Sequence, residues 1–374
     1  MPRTLSRERK TDRVAEAAVP AEKLQQNFPR IDLPIRPPYP PMEARSVKEI
    51  PSGANLLYEP KWDGFRCLVF RKGDQVLMQS KAGQPLGRYF PELVQAFRDV
   101  RPNQFVMDGE IVIFRDGQPS FDDLLMRIHP AQSRIDRLSK ETPASFVAFD
   151  LLVDERGKSL VDEPLKERRA ELERIFEGNL GPAEGSRSHT RGSHTRSIQL
   201  SPSTTDRAQA LRWMKELAGS GFDGVIAKPA MAPYLSGERA MQKIKKIRSA
   251  DCVVGGFRWA SKGGEVGSLL LGLYNDAGQL DHVGFTSSFR AEQRQELKKI
   301  LKPLMGGTGF TGRAPGGPSR WSTERSGEWE PLDPKLVCEV SYDYFNQGRF
   351  RHGTKFLRWR PEKKPRQCGM EQVR

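Results

Sequence analysis

Residues 58–66 read YEPKWDGFR. Lys61 stands between aromatic residues, directly after Pro60 and two positions ahead of an Asp-Gly pair. A surface loop produces such a string by accident. A lysine held ready as a nucleophile produces it too, and the surrounding chain must decide between them. Downstream, RCLVFRKGDQVLMQS carries two apolar runs around Lys-Gly-Asp, the pattern of a β-hairpin. FVMDGEIVIFRDGQPSF repeats the pattern, with its turn at Asp116-Gly117. FPELVQAFRDV between them is a short helix. SFVAFDLLVDERGKSL is a buried strand followed by a turn. Pro164 suits the first turn of a helix whose body is KERRAELERIF and whose stop is Gly178. In DRAQALRWMKELAGSG, Leu211, Met214 and Leu217 fall at helical spacing. FDGVIAKP and MQKIKKIR follow as strands, and a second β-rich region opens near SADCVVGGF. FRAEQRQELKKILKPL is a helix inside it.

Composition narrows the classes. The chain has 374 residues, enough for two domains, with 37% hydrophobic and 29% charged residues. No apolar run reaches the roughly 18 residues that cross a bilayer, and the first thirty residues hold no apolar core of a secretory signal. Cysteines 67, 252, 338 and 368 are scattered and form no CxxC pair, which argues against a zinc ribbon or disulfide framework. Net charge is +14. A basic balance attracts polyanions, nucleic acid above all. From Arg349 onward nine Lys or Arg face two acids, half of the net charge, and Phe350, Phe356, Leu357 and Trp359 interleave with them. Residues 1–28 read as a disordered basic tail, and DLPIRPPYPPMEA as an extended, proline-rich segment. SHTR occurs twice within 181–197, a low-complexity loop; His189 and His194 have no neighbours to complete a metal site. The domain boundary falls near residue 248.

Five short stretches carry reactive side chains beside strand signals: EPKWDGFR, MDGEIVIF, VAFD, FDGVIAKP and MQKIKKIR. Any one alone is more often a turn or a solvated edge. Strand spacing puts Lys243 and Lys245 on one face, where two ammonium groups repel unless an anion lies over them. Together, clustered cations, carboxylates and an aromatic suit a nucleoside triphosphate with a metal.

KWDGFR resembles the KxDGxR signature of the covalent nucleotidyltransferases: ATP-dependent DNA ligases, RNA ligases and mRNA capping enzymes. The later stretches match the family's other motifs in order, from about residue 32 onward. The resemblance is closest to the short bacterial ATP-dependent DNA ligases. PPYPPMEA is similar to their start, SADCVVGGF to the opening of their OB domain and FLRWRPEKKP to their last motif. It implies an α+β fold: an adenylation domain over 29–247, with ATP-grasp-like antiparallel sheets and helices, then a C-terminal OB-fold β-barrel over 248–374. It implies that Lys61 is the nucleophile that takes up AMP. Glu59, Arg66, Lys81, Glu110, Phe149, Lys228, Lys243 and Lys245 would bind the nucleotide. Glu110 and Asp223 would hold Mg²⁺ or Mn²⁺, and Arg358, Arg360 and Lys363 would orient the pyrophosphate leaving group. Three positions depart from the family's commoner residues: Lys81 replaces arginine, Asp223 glutamate and Met241 tryptophan. The lysine at 81 turns a bidentate contact into a point charge.

The chemistry sets a requirement on Lys61. Only its neutral amine attacks phosphorus. At the reference pKa of about 10.4, roughly one lysine in 2,500 is neutral at pH 7, and a pKa near 7 needs about 4.6 kcal/mol of bias. Arg66, Lys243, Lys245 and a bound cation are expected to supply it, with Asp63 turned away or engaged elsewhere. The implied partners are nicked duplex DNA and DNA-repair proteins, for a monomer in the bacterial cytoplasm, nucleoid-associated. The rival readings are an RNA ligase, a capping guanylyltransferase and a non-enzymatic OB-fold nucleic-acid binder.

Overall fold

A computed structural model describes residues 27–115, 117–179, 197–216, 222–245, 248–260, 264–316, 328–351 and 353–373. The tail up to residue 26, the SHTR loop up to residue 196 and Lys246 lie outside the described residues. Chain contacts separate two compact units, divided between Ile244 and Lys245.

Two sheets build the first unit. One has the order β1 (Ala44–Ser46), β10 (Met241–Lys245), β9 (Phe222–Pro229) and β2 (Leu56–Trp62). The other runs β4 (Gln75–Ser80), β3 (Phe65–Lys72), β5 (Gln104–Arg115), β7 (Ala144–Val153) and β8 (Ile198–Leu200), with the short β6 (Gln118–Pro119) against β5. Pro60 is accommodated because β2 is an edge strand, where a missing N–H leaves no gap in the ladder. The sheets face each other through Leu68, Phe70, Val106, Leu152 and Met241, all buried. The opposite face of the larger sheet packs on helix α1 (Pro91–Asp99) through Leu93, Ala96 and Phe97. Burying a side chain the size of Leu93 or Phe97 is worth about 1.5–3 kcal/mol.

Asp63 and Gly64 carry the chain from β2 in one sheet to β3 in the other. A Cβ on Gly64 would lie 2.1 Å from the Ile111 carbonyl oxygen, so this crossing excludes a side chain. The glycine of the Asp-Gly pair after Lys61 is therefore required by the crossing itself. The Lys-Gly-Asp hairpin forms as expected between β3 and β4, with Gly73 at φ +59°.

The second expected hairpin is only partly present. β6 returns for two residues, and β5 instead pairs along its length with β3 and β7. Helices α2 (Phe121–Arg127) and α3 (Gln132–Glu141) follow, which the sequence reading did not include. Ser120 accepts a hydrogen bond from the Asp123 N–H and caps α2. Helix α4 (Leu165–Arg174) forms as read, but buries Arg168 and Arg169. In α5 (Arg207–Glu216) the core face differs from the expected one. Ala210, Trp213 and Met214 turn inward and Leu211 is exposed, while Leu217 is not described.

The second unit is an antiparallel sheet ordered β13 (Leu280–Thr286), β12 (Val266–Tyr274), β11 (Arg248–Trp259), β15 (Val337–Tyr342) and β18 (Lys355–Trp359). The two-residue β14 (Glu330–Pro331) adds to β11, and β16 (Phe345–Asn346) pairs with β17 (Arg349–Phe350). A bridge between Thr286 and Thr354 brings the end of β13 beside the start of β18. The sheet thus curls toward closure, as an OB barrel does. Helix α6 (Ala291–Leu301) forms where expected, and Cys252, Cys338 and Cys368 are free thiols in this unit's core.

Candidate active site

Strands of both sheets in the first unit line one cavity of about 210 Å³. β2 supplies Glu59 and Lys61, β3 Arg66, β5 Glu110, β7 Phe149, β9 Lys228 and β10 Lys243, with Lys81 just beyond β4. Pairing register does this work. Lys61 lies opposite Gly224, and Arg66 opposite Glu110, so the side chains flanking those positions converge from two sheets.

Lys61 Nζ lies 2.8 Å from an Asp223 carboxylate oxygen, with the two side chains 21% and 19% exposed. Burial alone would push the ammonium down. Asp223, Glu110 and, least, Asp63 outweigh burial and hold Lys61 above the ordinary lysine range. The expected cationic bias toward the neutral amine is thus corrected: acids dominate around this nitrogen. The physical reason is that Arg66 is engaged elsewhere. Its guanidinium donates to both Asp108 oxygens, each at 2.6 Å, and lies 4.4 Å from the Phe149 ring centroid. Tyr234 fixes Asp108 from the far side, donating at 2.6 Å while its oxygen accepts the Met42 N–H at 2.9 Å.

Glu110 accepts the Gly64 N–H at 3.2 Å. Burial pushes its carboxyl up to about 7, against the opposing pull of Lys61 and Arg66. At the floor, Lys228 pairs with Glu59 at 2.8 Å, and both are nearly inaccessible. Lys228 also lies 4.6 Å from the Phe149 centroid. Lys81 pairs with Glu43 at 3.1 Å at an exposed edge. Lys245, two residues beyond Lys243, does not line the cavity and has Asp343 at 3.8 Å.

The C-terminal cations are placed within the second unit. Arg358 donates to Glu339 at 2.8 Å, Arg360 to Asp251 at 2.8 Å and Glu362 at 2.5 Å, and Lys363 to Asp251 at 2.7 Å. Sequence reading did not single out Tyr234, Arg168 or Arg169 as site residues. Arg168 is fully buried and grips both oxygens of Asp150, the residue after Phe149, at 2.8 and 2.9 Å. Asp150 is accordingly part of the scaffold.

Residues 41–246 match the family model of the ATP dependent DNA ligase domain, and residues 262–363 that of the ATP dependent DNA ligase C terminal region. The chain belongs to the ATP-dependent DNA ligases. It is 43% identical over 353 residues to DNA ligase C1 of Mycolicibacterium smegmatis, covering 92% of this chain and 96% of that one. DNA ligase C of Mycobacterium tuberculosis is 44% identical over 362 residues, with the same coverage. Among solved structures, one from a structure-function study of Lig E DNA ligases aligns with a TM-score of 0.51 at 17% identity, over 85% of this ligase and 99% of that chain. That likeness speaks for the fold alone.

Proposed function

We propose that this ligase seals nicks in duplex DNA, using ATP, through an AMP adduct on Lys61. The observation that carries the reading is the Lys61 amine, 2.8 Å from Asp223 in a cavity shared by Glu59, Arg66, Phe149 and Lys243. At about 210 Å³ the cavity falls short of the roughly 300–1,000 Å³ that enclose a whole drug-sized ligand. It takes the base and sugar, with Phe149 as a stacking face once a cation now over its ring, Arg66 or Lys228, yields, and leaves the phosphates at the mouth beside Lys81 and Lys243.

Lys61 first loses a proton, for which Asp223 is the adjacent acceptor. The neutral amine attacks the α-phosphorus; an N–P bond forms and the bond to pyrophosphate breaks. AMP then passes to the 5′ phosphate of the nick, and the 3′ hydroxyl displaces it and closes the strand. Lys243 stabilises charge on the α-phosphate, and Arg358, Arg360 and Lys363 orient the pyrophosphate. For those three to act, their carboxylate partners must yield to phosphate.

Among the described residues, no group of three or more His, Cys, Asp or Glu is placed to hold a metal. Mg²⁺ needs only one or two carboxylates, completed by phosphate oxygens and water. Glu110 and Asp223, hard oxygen donors beside the amine, fit that requirement for Mg²⁺ or Mn²⁺. Such an ion, when bound, neutralises the two carboxylates that favour the charged lysine and the charge on the phosphates.

The basic surplus suits phosphate contacts indifferent to base sequence. The ligase acts as a monomer in the bacterial cytoplasm, nucleoid-associated, in DNA repair and alongside repair proteins. Incubation with radiolabelled ATP and metal, then denaturing electrophoresis and a nicked-duplex assay, tests the reading. It fails if GTP alone labels the protein, as a capping enzyme requires, or if only RNA nicks are sealed. It fails equally if no label is taken up, as for a pure nucleic-acid binder.

A further inference from the structure

We propose that Arg258, Arg313 and Arg349, gathered around the buried His282 of the second unit, form a binding site for a phosphate group. The site is additional to the Lys61 chemistry, in which none of the four residues takes part. Three segments meet there. His282 is on β13, and its backbone N–H donates to the Arg313 carbonyl at 2.8 Å. The Arg313 guanidinium reaches the turn between β16 and β17, donating to the Gln347 carbonyl at 3.3 Å and to that of Gly348. Gly348 has φ +74°, and a Cβ on it would come within 2.7 Å of that guanidinium, so glycine permits the approach. Arg349 opens β17 directly after the turn, and Arg258 lies near the end of β11.

Among the described residues, neither ring nitrogen of His282 has a hydrogen-bond partner, nor does Arg313 Nε, and all three atoms are buried. His282 is 7% exposed, with the Phe310 ring edge-on at 5.3 Å. The three arginines are half-buried. Burial, then Arg349, Arg258 and Arg313, push the imidazole down to about 3, and the Gly284 backbone pulls the other way. Burial and Arg313 likewise push Arg349 down. No carboxylate is among these influences on His282 and Arg349. Asp281, the neighbouring acid on β13, is engaged by amides instead: the Arg313 backbone N–H at 2.7 Å and the Asn275 side chain at 3.2 Å.

Three guanidinium groups around a neutral ring repel one another unless an anion lies among them. A buried N–H without an acceptor is costly as well, and the same occupant relieves both. Guanidinium forks match the oxygens of phosphate, and the neutral imidazole adds one N–H donor. A carboxylate would offer two oxygens in one plane to donors that come from three segments; tetrahedral phosphate meets them from several sides. Bracing the turn accounts for Arg313 but not for Arg349, whose charge is brought toward another of the same sign. The chemistry is shared by a free phosphate ion and by a phosphodiester of the DNA backbone, and the experiment separates the two.

The full chain is titrated with inorganic phosphate at constant ionic strength, with chloride as the control. Binding is followed by calorimetry and by the NMR ring signal of His282, assigned through its loss in His282→Gln. Phosphate is expected to bind saturably and to move that signal, and chloride to do neither. Arg349→Gln, at a half-exposed position, should weaken phosphate about tenfold, the scale of a hydrogen bond to a charged group. Arg349→Lys should recover part of the loss. Nicked duplex then identifies the source. If duplex moves the His282 signal, and Arg349→Gln lowers the slope of log affinity against log salt by about one, the phosphate is the DNA's. If phosphate moves the signal and duplex does not, the site takes a free phosphate ion. Either result supports the site. If neither ligand moves the signal, or if Arg349→Gln binds both as tightly as wild type, the proposal falls. AMP uptake from labelled ATP, measured on the same preparations, reports on the ligase reading separately, so either can fail while the other stands.

Discussion

Two lysine–carboxylate pairs span the same two strands, β2 and β9, at the same 2.8 Å separation. Lys61–Asp223 stands at the cavity mouth with each side chain about one-fifth exposed. Lys228–Glu59 sits at the floor, at 3% and 2%. The contact is alike and the surroundings are not. Water and incoming charges reach the mouth pair, so its partners can be exchanged. The floor pair is desolvated, so removing either member strands the other. On the proposed reading one lysine reacts and the other holds a wall.

Substitutions break or sharpen that contrast. Lys61→Ala should abolish the AMP adduct, to below about one-thousandth of wild type, because covalent catalysis has no substitute amine at that position. Labelled-ATP transfer on denaturing gels checks this, and an adduct surviving on the variant would refute it. Folding stability should rank the pairs the other way. Lys228→Met leaves Glu59 buried without its main partner, which costs about 3–5 kcal/mol. Lys61→Met should cost less, because water reaches its partner Asp223. Denaturant unfolding of the two variants decides, and equal losses would erase the distinction.

Asp223→Asn removes the largest acidic influence on Lys61, so the lysine's pKa should fall. At pH 8 an amine-reactive acylating reagent should then modify Lys61 faster than in wild type. Adduct formation should nevertheless slow, since a proposed metal ligand is lost. Slower acylation would show that Asp223 does not hold the proton.

The smallest effect belongs to Glu110, whose carboxyl is raised by burial to about 7. Between the ordinary carboxylate range and pH 7 the folded state binds the extra proton. Its contribution to stability is fully present below the unfolded value and is lost as pH rises through about 7. Glu110→Gln should flatten the fall in Tm between pH 5 and pH 8; an unchanged slope would place the titration elsewhere.

Much of this was readable in the chain because strands announce themselves locally. Two-residue periodicity and Gly-Asp turns located β3, β4, β7, β9 and β10; of the motif residues on them Arg66, Phe149, Lys228 and Lys243 line the cavity, and Asp150, Asp223 and Lys245 do not. The supporting partners were not readable, because they are distant in sequence. Asp108 meets Arg66 across 42 positions, and Tyr234 meets Asp108 across 126. Arg168 and Arg169 sat in a stretch that reads as an ordinary charged helix, KERRAELER, and no periodicity says that a guanidinium is buried. Helix α3 did carry a signal: Ile135 and Leu138, three apart, are its buried residues. The expectation for the Lys61 proton failed because the cations were counted without their partners; Arg66 is saturated by Asp108.

The central claim is that the mouth lysine and not the floor lysine reacts. After incubation with ATP and Mg²⁺, proteolysis and mass spectrometry locate the adenylyl group directly. The expected result is AMP on the peptide carrying Lys61, and on Lys61 within it. AMP on Lys228, or on any other side chain with Lys61 unmodified, would contradict the account.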